Sequence, residues 1–101
     1  VYLDSSNKII DITDAACGTV NCAMPIVREI IHSALQKFAV SIICAHNHPS
    51  GDTKPSKEDR DFTRELCQAG NVMQVKMLDH LIIGDNQYYS FADNGEIVTY
   101  K

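Results

Sequence analysis

One short stretch near the middle of the chain, Val40-Ser41-Ile42-Ile43-Cys44-Ala45, constrains the fold more than any other. It is nearly continuous in apolar residues, rich in β-branched ones, and too short for a buried helix. Such a run suits a central strand covered on both faces, so the chain must also supply the elements that cover it. Two segments answer that need. Val27, Ile30, Ile31, Ala34, Leu35 and Phe38 follow the i, i+3, i+4, i+7, i+8, i+11 spacing of one buried helical stripe. Pro25 fits the first turn of that helix, and Arg28, Glu29, Gln36 and Lys37 take its outer side. Ser56 opens a second helix with Phe62, Leu66 and Ala69 inward and Gly70 as its stop.

The rest reads as strands and turns. Val1 to Leu3 and Lys8 to Thr13 form a hairpin about Asp4-Ser5-Ser6-Asn7. Gly18 breaks the chain before a short extended piece at Thr19 to Asn21. Beyond the second helix come strands at Val72 to Met77, Leu81 to Ile83, Gln87 to Phe91 and Ile97 to Tyr100. Gly84-Asp85-Asn86 and Asp93-Asn94-Gly95 punctuate them. Strands before, between and after two helices predict an α/β (α+β) domain with a sheet flanked by helices.

A length of 101 residues is one domain's worth. With 45% hydrophobic and 22% charged residues the composition is that of a globular chain, which excludes disorder. No apolar run approaches the length of a membrane span, and no basic-then-apolar leader stands at the start, so a cytoplasmic location is expected. Val1 is not an initiator Met, and the chain reads as a piece of a longer protein that lacks its N-terminal segment. Nine Lys+Arg against 13 Asp+Glu leave a net charge of −4. Lys54, Lys57, Arg60 and Arg64 are interleaved with Asp52, Glu58, Asp59, Asp61 and Glu65, a solvated face and not a basic stripe. Direct DNA binding is therefore expected to be weak or absent. The four cysteines contain no C-x-x-C pair and read as reduced thiols.

The chemistry lies just past the central strand. His46 and His48 are two apart, so a strand directs both rings to one side. Asp59 falls in the first turn of the second helix, from which a folded-back loop brings its carboxylate to the imidazoles. Two His and one carboxylate, with a fourth position left for water, form the ligand set of a catalytic zinc. Each piece also has a plainer role: H-x-H alone is a weak signal, and Ser56-x-x-Asp59 reads equally as a helix cap.

The full pattern is more specific. His46, His48, seven residues, Ser56, two residues, Asp59 is the signature of the JAMM (MPN+) metalloprotease superfamily. The string from His46 to Thr63, with the segment Leu78 to Glu96, resembles the RadC-like JAB domain in particular. The resemblance covers essentially the whole chain. It implies a JAB/MPN fold with a curved mixed sheet, and zinc held by His46, His48 and Asp59. It further implies a metalloprotease-like hydrolysis of a peptide or isopeptide bond in a protein or peptide substrate, with Ser56 helping to stabilise the oxyanion. It also imports a historical label of DNA repair.

One position departs from that pattern. The superfamily's general base is a Glu on an early strand upstream of a Gly-Thr pair, and aligning Gly18-Thr19 puts Thr13 in its place. Asp11 and Asp14 are the nearby acids, and Asp11 shares the face of Thr13 on a regular strand. The alternative function is thus a catalytically inert JAB module that binds zinc and serves as a scaffold or repair-associated factor. His80, preceded by Asp79, reads either as a residue lining the same cleft, supporting a ligand or touching substrate with its ring oriented by Asp79, or as a structural pair that satisfies itself by hydrogen bonds. His32 reads as a surface or partly buried residue. The aromatic cluster of Tyr88, Tyr89 and Phe91 could stack on a base but is explained more simply by packing, and Cys44, on the strand face of His46, reads as core. An exposed strand at Val1 could pair with an upstream segment or with a second copy in a homodimer.

Overall fold

The computed structural model describes residues 1–13, 23–48 and 52–97. Its elements are β1 (Tyr2–Leu3), β2 (Ile9–Asp11), α1 (Ala23–Gln36), β3 (Ser41–Asn47), α2 (Lys57–Met73), β4 (Lys76–Gly84) and β5 (Gln87–Ser90). They form one five-stranded mixed sheet in the order β2-β1-β3-β4-β5, with β3 in the middle. The two outer pairs are hairpins. At the first, the Asp4 carboxylate accepts from the backbone N–H groups of Ser6 and Lys8 at 2.8 and 3.0 Å, and Asn7 takes a left-handed φ of 60°. This side chain-to-backbone bonding is why Asp and Asn populate such turns. At the second, Asp85-Asn86 joins Gly84 to Gln87. β3 and β4 run parallel, connected through α2, and their register sets Cys44 beside His80 and His46 beside Ile82.

Tyr2, Ile42 and Met77 stand in one row across β1, β3 and β4. That row shares a core with Val27, Ile30, Ile31 and Ala34 of α1 and with Leu66 and Cys67 of α2. The apolar stripe of α1 is therefore real over four of its six positions. Leu35 is 41% exposed and Phe38 87% exposed, because the helix ends at Gln36 and Phe38 turns to a left-handed φ of 56°. A periodic stripe predicts burial only while the helix lasts. The coverage of β3 is uneven too. Ser41 and Ile42 are buried, Ile43 and Cys44 half-buried, and Ala45 and Asn47 exposed.

Gly70 does not end α2. The helix continues three residues to Met73, and Gln74 supplies the left-handed cap at φ 59°. Gly70 is needed for another reason: a Cβ there would lie 2.2 Å from the Val75 carbonyl oxygen, which accepts no such neighbour. Val72 and Met73 consequently belong to the helix and not to a strand. Leu81 to Ile83, read separately, is part of the single nine-residue strand β4. The expected extended piece at Thr19 to Asn21 and most of the strand at Ile97 to Tyr100 lie outside the described residues. Among the described residues no helix is long and apolar enough to cross a membrane, and Cys44 and Cys67 are free thiols.

Candidate metal centre

The last residues of β3 and the first turn of α2 meet at one edge of the sheet. His46 and His48 leave the strand on one side, their ring centroids 5.0 Å apart. Ser56 caps α2 in a reciprocal capping box: its Oγ accepts from the Asp59 N–H at 3.1 Å, and its own N–H donates to Asp59 Oδ2 at 2.8 Å. Such a box satisfies two N–H groups that a helix start otherwise leaves open. Here it also aims the Asp59 carboxylate. Oδ1 lies 3.0 Å from His46 Nε2, and Oδ2 lies 3.0 Å from His48 Nε2.

One nitrogen from each imidazole and one carboxylate oxygen fall within 4.8 Å of one another. A tetrahedral zinc with bonds of about 2.0–2.1 Å holds its ligand atoms roughly 3.3 Å apart, so these three residues fit such an ion with small adjustments. His48 is already set for ligation: its Nδ1 lies 2.8 Å from the backbone carbonyl oxygen of Asp52. A carbonyl only accepts, so Nδ1 carries the proton and Nε2 faces the cluster.

The electrostatics agree with a site that attracts a cation. Burial works to raise the Asp59 carboxyl, but hydrogen bonds from Ser56 and the neighbouring imidazoles hold it below its ordinary value. Burial lowers His46 and outweighs the opposing pull of Asp59, favouring the neutral ring that a metal requires.

Behind His46 lies a residue whose role sequence alone left between two readings. His80 is 1% exposed, and its Nε2 stands 2.9 Å from His46 Nδ1. Its own Nδ1 is 2.5 Å from Thr63 Oγ1, one turn along α2 from Asp59. Asp79 does not orient the ring. Its carboxylate accepts from the His80 backbone N–H, from Ser90 Oγ and from the Ala92 N–H, tying β4 to the turn after β5. That tie sets Phe91 flat against the His80 ring, with centroids 4.8 Å apart and planes 12° apart. Burial first, then the nearby imidazoles, push His80 down to about 4, so it is neutral in ordinary solution.

The other sequence candidates lie apart from this cluster. Asp11 pairs across β1 with Tyr2, which pairs with Ile42, four residues short of His46. Its carboxylate is 3.5 Å from Lys37 Nζ and accepts from Thr13 Oγ1 at 3.2 Å. Asp14 lies outside the described residues. Burial pushes the Cys44 thiol up to about 11, and it packs against the core as a neutral side chain. His32 is exposed on α1. Tyr89 donates to Glu96, which also pairs with Arg60, while Phe91 is fully packed.

The profile of the RadC-like JAB domain matches residues 1–96. The chain belongs to that family. Among its relatives, a UPF0758 protein of Symbiobacterium thermophilum is 42% identical over 95 residues, covering 94% of this chain and 41% of the relative. UPF0758 proteins of Caldanaerobacter subterraneus and Chlorobium chlorochromatii are 44% and 45% identical over 95 residues, covering 94% of this chain and 41% and 43% of their own lengths. This RadC-like JAB domain thus spans about two fifths of the curated relatives it matches.

Proposed function

We propose that this RadC-like JAB domain is a zinc-dependent hydrolase module acting on a peptide or isopeptide bond. The reading is carried by one observation: His46 Nε2, His48 Nε2 and the Asp59 carboxylate converge from a strand end and a helix start. When bound, an ion at this place supplies Lewis acidity, acidifying water toward neutrality and polarising a carbonyl. The chain's own residues prepare that place. Asp52 and the capping box orient two of the three ligands, and Ser56 Oγ, which accepts the Asp59 N–H at the cap, also carries a proton able to donate toward a developing oxyanion.

The test is metal analysis joined to turnover. Purified protein should hold near one zinc per chain and cleave members of a peptide and isopeptide library, with both properties lost on chelation. Protein that takes up no zinc overturns the reading.

A second reading is a zinc-holding module without turnover, used as a scaffold. It is favoured by the position of Asp11, which is engaged with Lys37 and Thr13 at the far edge of the sheet. Bound zinc with no cleavage in the wild type, and cleavage appearing in Thr13→Glu, would select it. A repair role through direct DNA contact is disfavoured by the net charge of −4, and salt-sensitive DNA binding would revive it.

A further inference from the structure

We propose that His80 and Thr63 form a positioning relay behind His46, holding it as the Nδ1–H tautomer so that Nε2 is free for the metal. The relay rests on the reading of His46, His48 and Asp59 as a metal site. It concerns two residues outside that ligand set, drawn from β4 and α2.

A neutral imidazole has one proton and one lone pair, so a ring that ligates through Nε2 must carry its proton on Nδ1. At His48 a backbone carbonyl enforces this. At His46 the group facing Nδ1 is another imidazole, 2.9 Å away, which could either donate or accept. Without an ion, His46 Nε2 donates to Asp59 Oδ1 at 3.0 Å; when an ion takes the Nε2 lone pair the proton must move to Nδ1, and the choice is then passed one step back. If His46 donates, His80 accepts at Nε2, and its single proton sits on Nδ1, aimed at Thr63 Oγ1 2.5 Å away. A hydroxyl accepts there without difficulty, and a helical threonine can send its own proton to a carbonyl one turn back. Every link then has one donor and one acceptor, running from His46 through His80 to Thr63.

The surroundings suit a positioning role. Phe91 stacks on one face of the His80 ring and Phe62 meets it edge-on at 5.5 Å, so the ring cannot turn without disturbing both. Asp79, which could have supplied a charged partner, is committed to the backbone and to Ser90. Metal-bound histidines usually rest on a carboxylate, a carbonyl or water. A neutral histidine orients the ligand while adding no negative charge behind it.

The test compares wild type with His80→Phe, His80→Gln and Thr63→Val, titrating Zn2+ against a chromophoric chelator. Long-range proton–nitrogen spectra of the zinc-loaded protein report the tautomer of His46, and melting of the zinc-free protein reports structure. His80→Phe keeps the stacking and removes the acceptor, so zinc affinity should fall about 10- to 100-fold. His80→Gln, which restores an acceptor, should recover part of the loss, and Thr63→Val should fall toward the lower end of that range. In the wild type the His46 proton should appear on Nδ1. Folded His80→Phe with wild-type affinity, or a His46 proton on Nε2, overturns the relay alone. If His80→Phe does not fold, undiminished affinity in Thr63→Val overturns it. A wild type that takes up no zinc overturns the metal reading and the relay with it.

Discussion

His46 and His48 sit two residues apart on one strand, yet they are supported in unlike ways. His48 leans outward on a loop, its Nδ1 against the main-chain carbonyl of Asp52. His46 leans inward on the core, its Nδ1 against the buried side chain of His80 and, through it, Thr63. The loop-side support is a backbone carbonyl, on a loop that the Asp52 carboxylate helps to shape by accepting from the Lys54 N–H at 3.0 Å. The core-side support is made of side chains alone and can be removed by substitution. Two histidines that would serve one ion alike are therefore unequally exposed to change in their surroundings.

The largest effect should come from the ligands themselves. His48→Ala and Asp59→Ala should each abolish stoichiometric zinc retention after dialysis, measured by metal analysis. Retention in either would mean that the two sides do not share one ion.

Next comes acid sensitivity of the zinc-free protein. His80 is held near 4 when folded against 6.5 ordinarily. Between those values the unfolded chain binds a proton that the folded chain refuses, so stability falls as pH drops from about 6.5 to about 4 and then levels. The full span is worth about 3 kcal/mol. Urea unfolding at several pH values should show this slope in wild type and a shallower one in His80→Phe. Equal slopes would place the core-side histidine in a more open setting.

A smaller loss is expected from Ser56→Ala. Removing an N-cap hydroxyl costs about 1 kcal/mol, read from chemical denaturation. The Ser56 N–H still donates to Asp59 Oδ2, so zinc should still bind. A loss of zinc would mean that the hydroxyl aims the acid as well as capping the helix. The smallest effect belongs to Asp52→Ala, which leaves the carbonyl in place. It removes the acceptor of the Lys54 N–H, so zinc affinity should fall slightly and by less than in His80→Phe; a drop comparable to His80→Phe would erase the contrast between the two sides.

The ligand side of this contrast was legible in the sequence and the core side was not. His46 and His48 announce themselves by period two on a strand, and Asp59 by its place in a capping box. Both are short-range regularities, written within a few residues. His80 meets His46 across 34 residues and Thr63 across 17, through the parallel register of β3 and β4. No local pattern encodes that register. The available hint was Asp79 beside His80, and it misled, because Asp79 turned to the backbone instead of the ring. The same division holds for the fold. The stripe Val27, Ile30, Ile31 and Ala34 was readable, whereas the end of α1 depended on the conformation of Phe38. Gly70 read as a stop because glycine commonly ends helices, but there the decisive neighbour was the Val75 carbonyl five residues on.

His46, His48 and Asp59 all lie within fourteen consecutive residues. Ring closure over so short a span costs little chain entropy, so a chelate among them does not need the whole sheet to be in place. An ion gripped by these three would therefore keep a weaker hold on the denatured chain. The melting temperature should rise with added zinc less steeply than the native affinity alone dictates, since binding to the denatured chain offsets part of the gain.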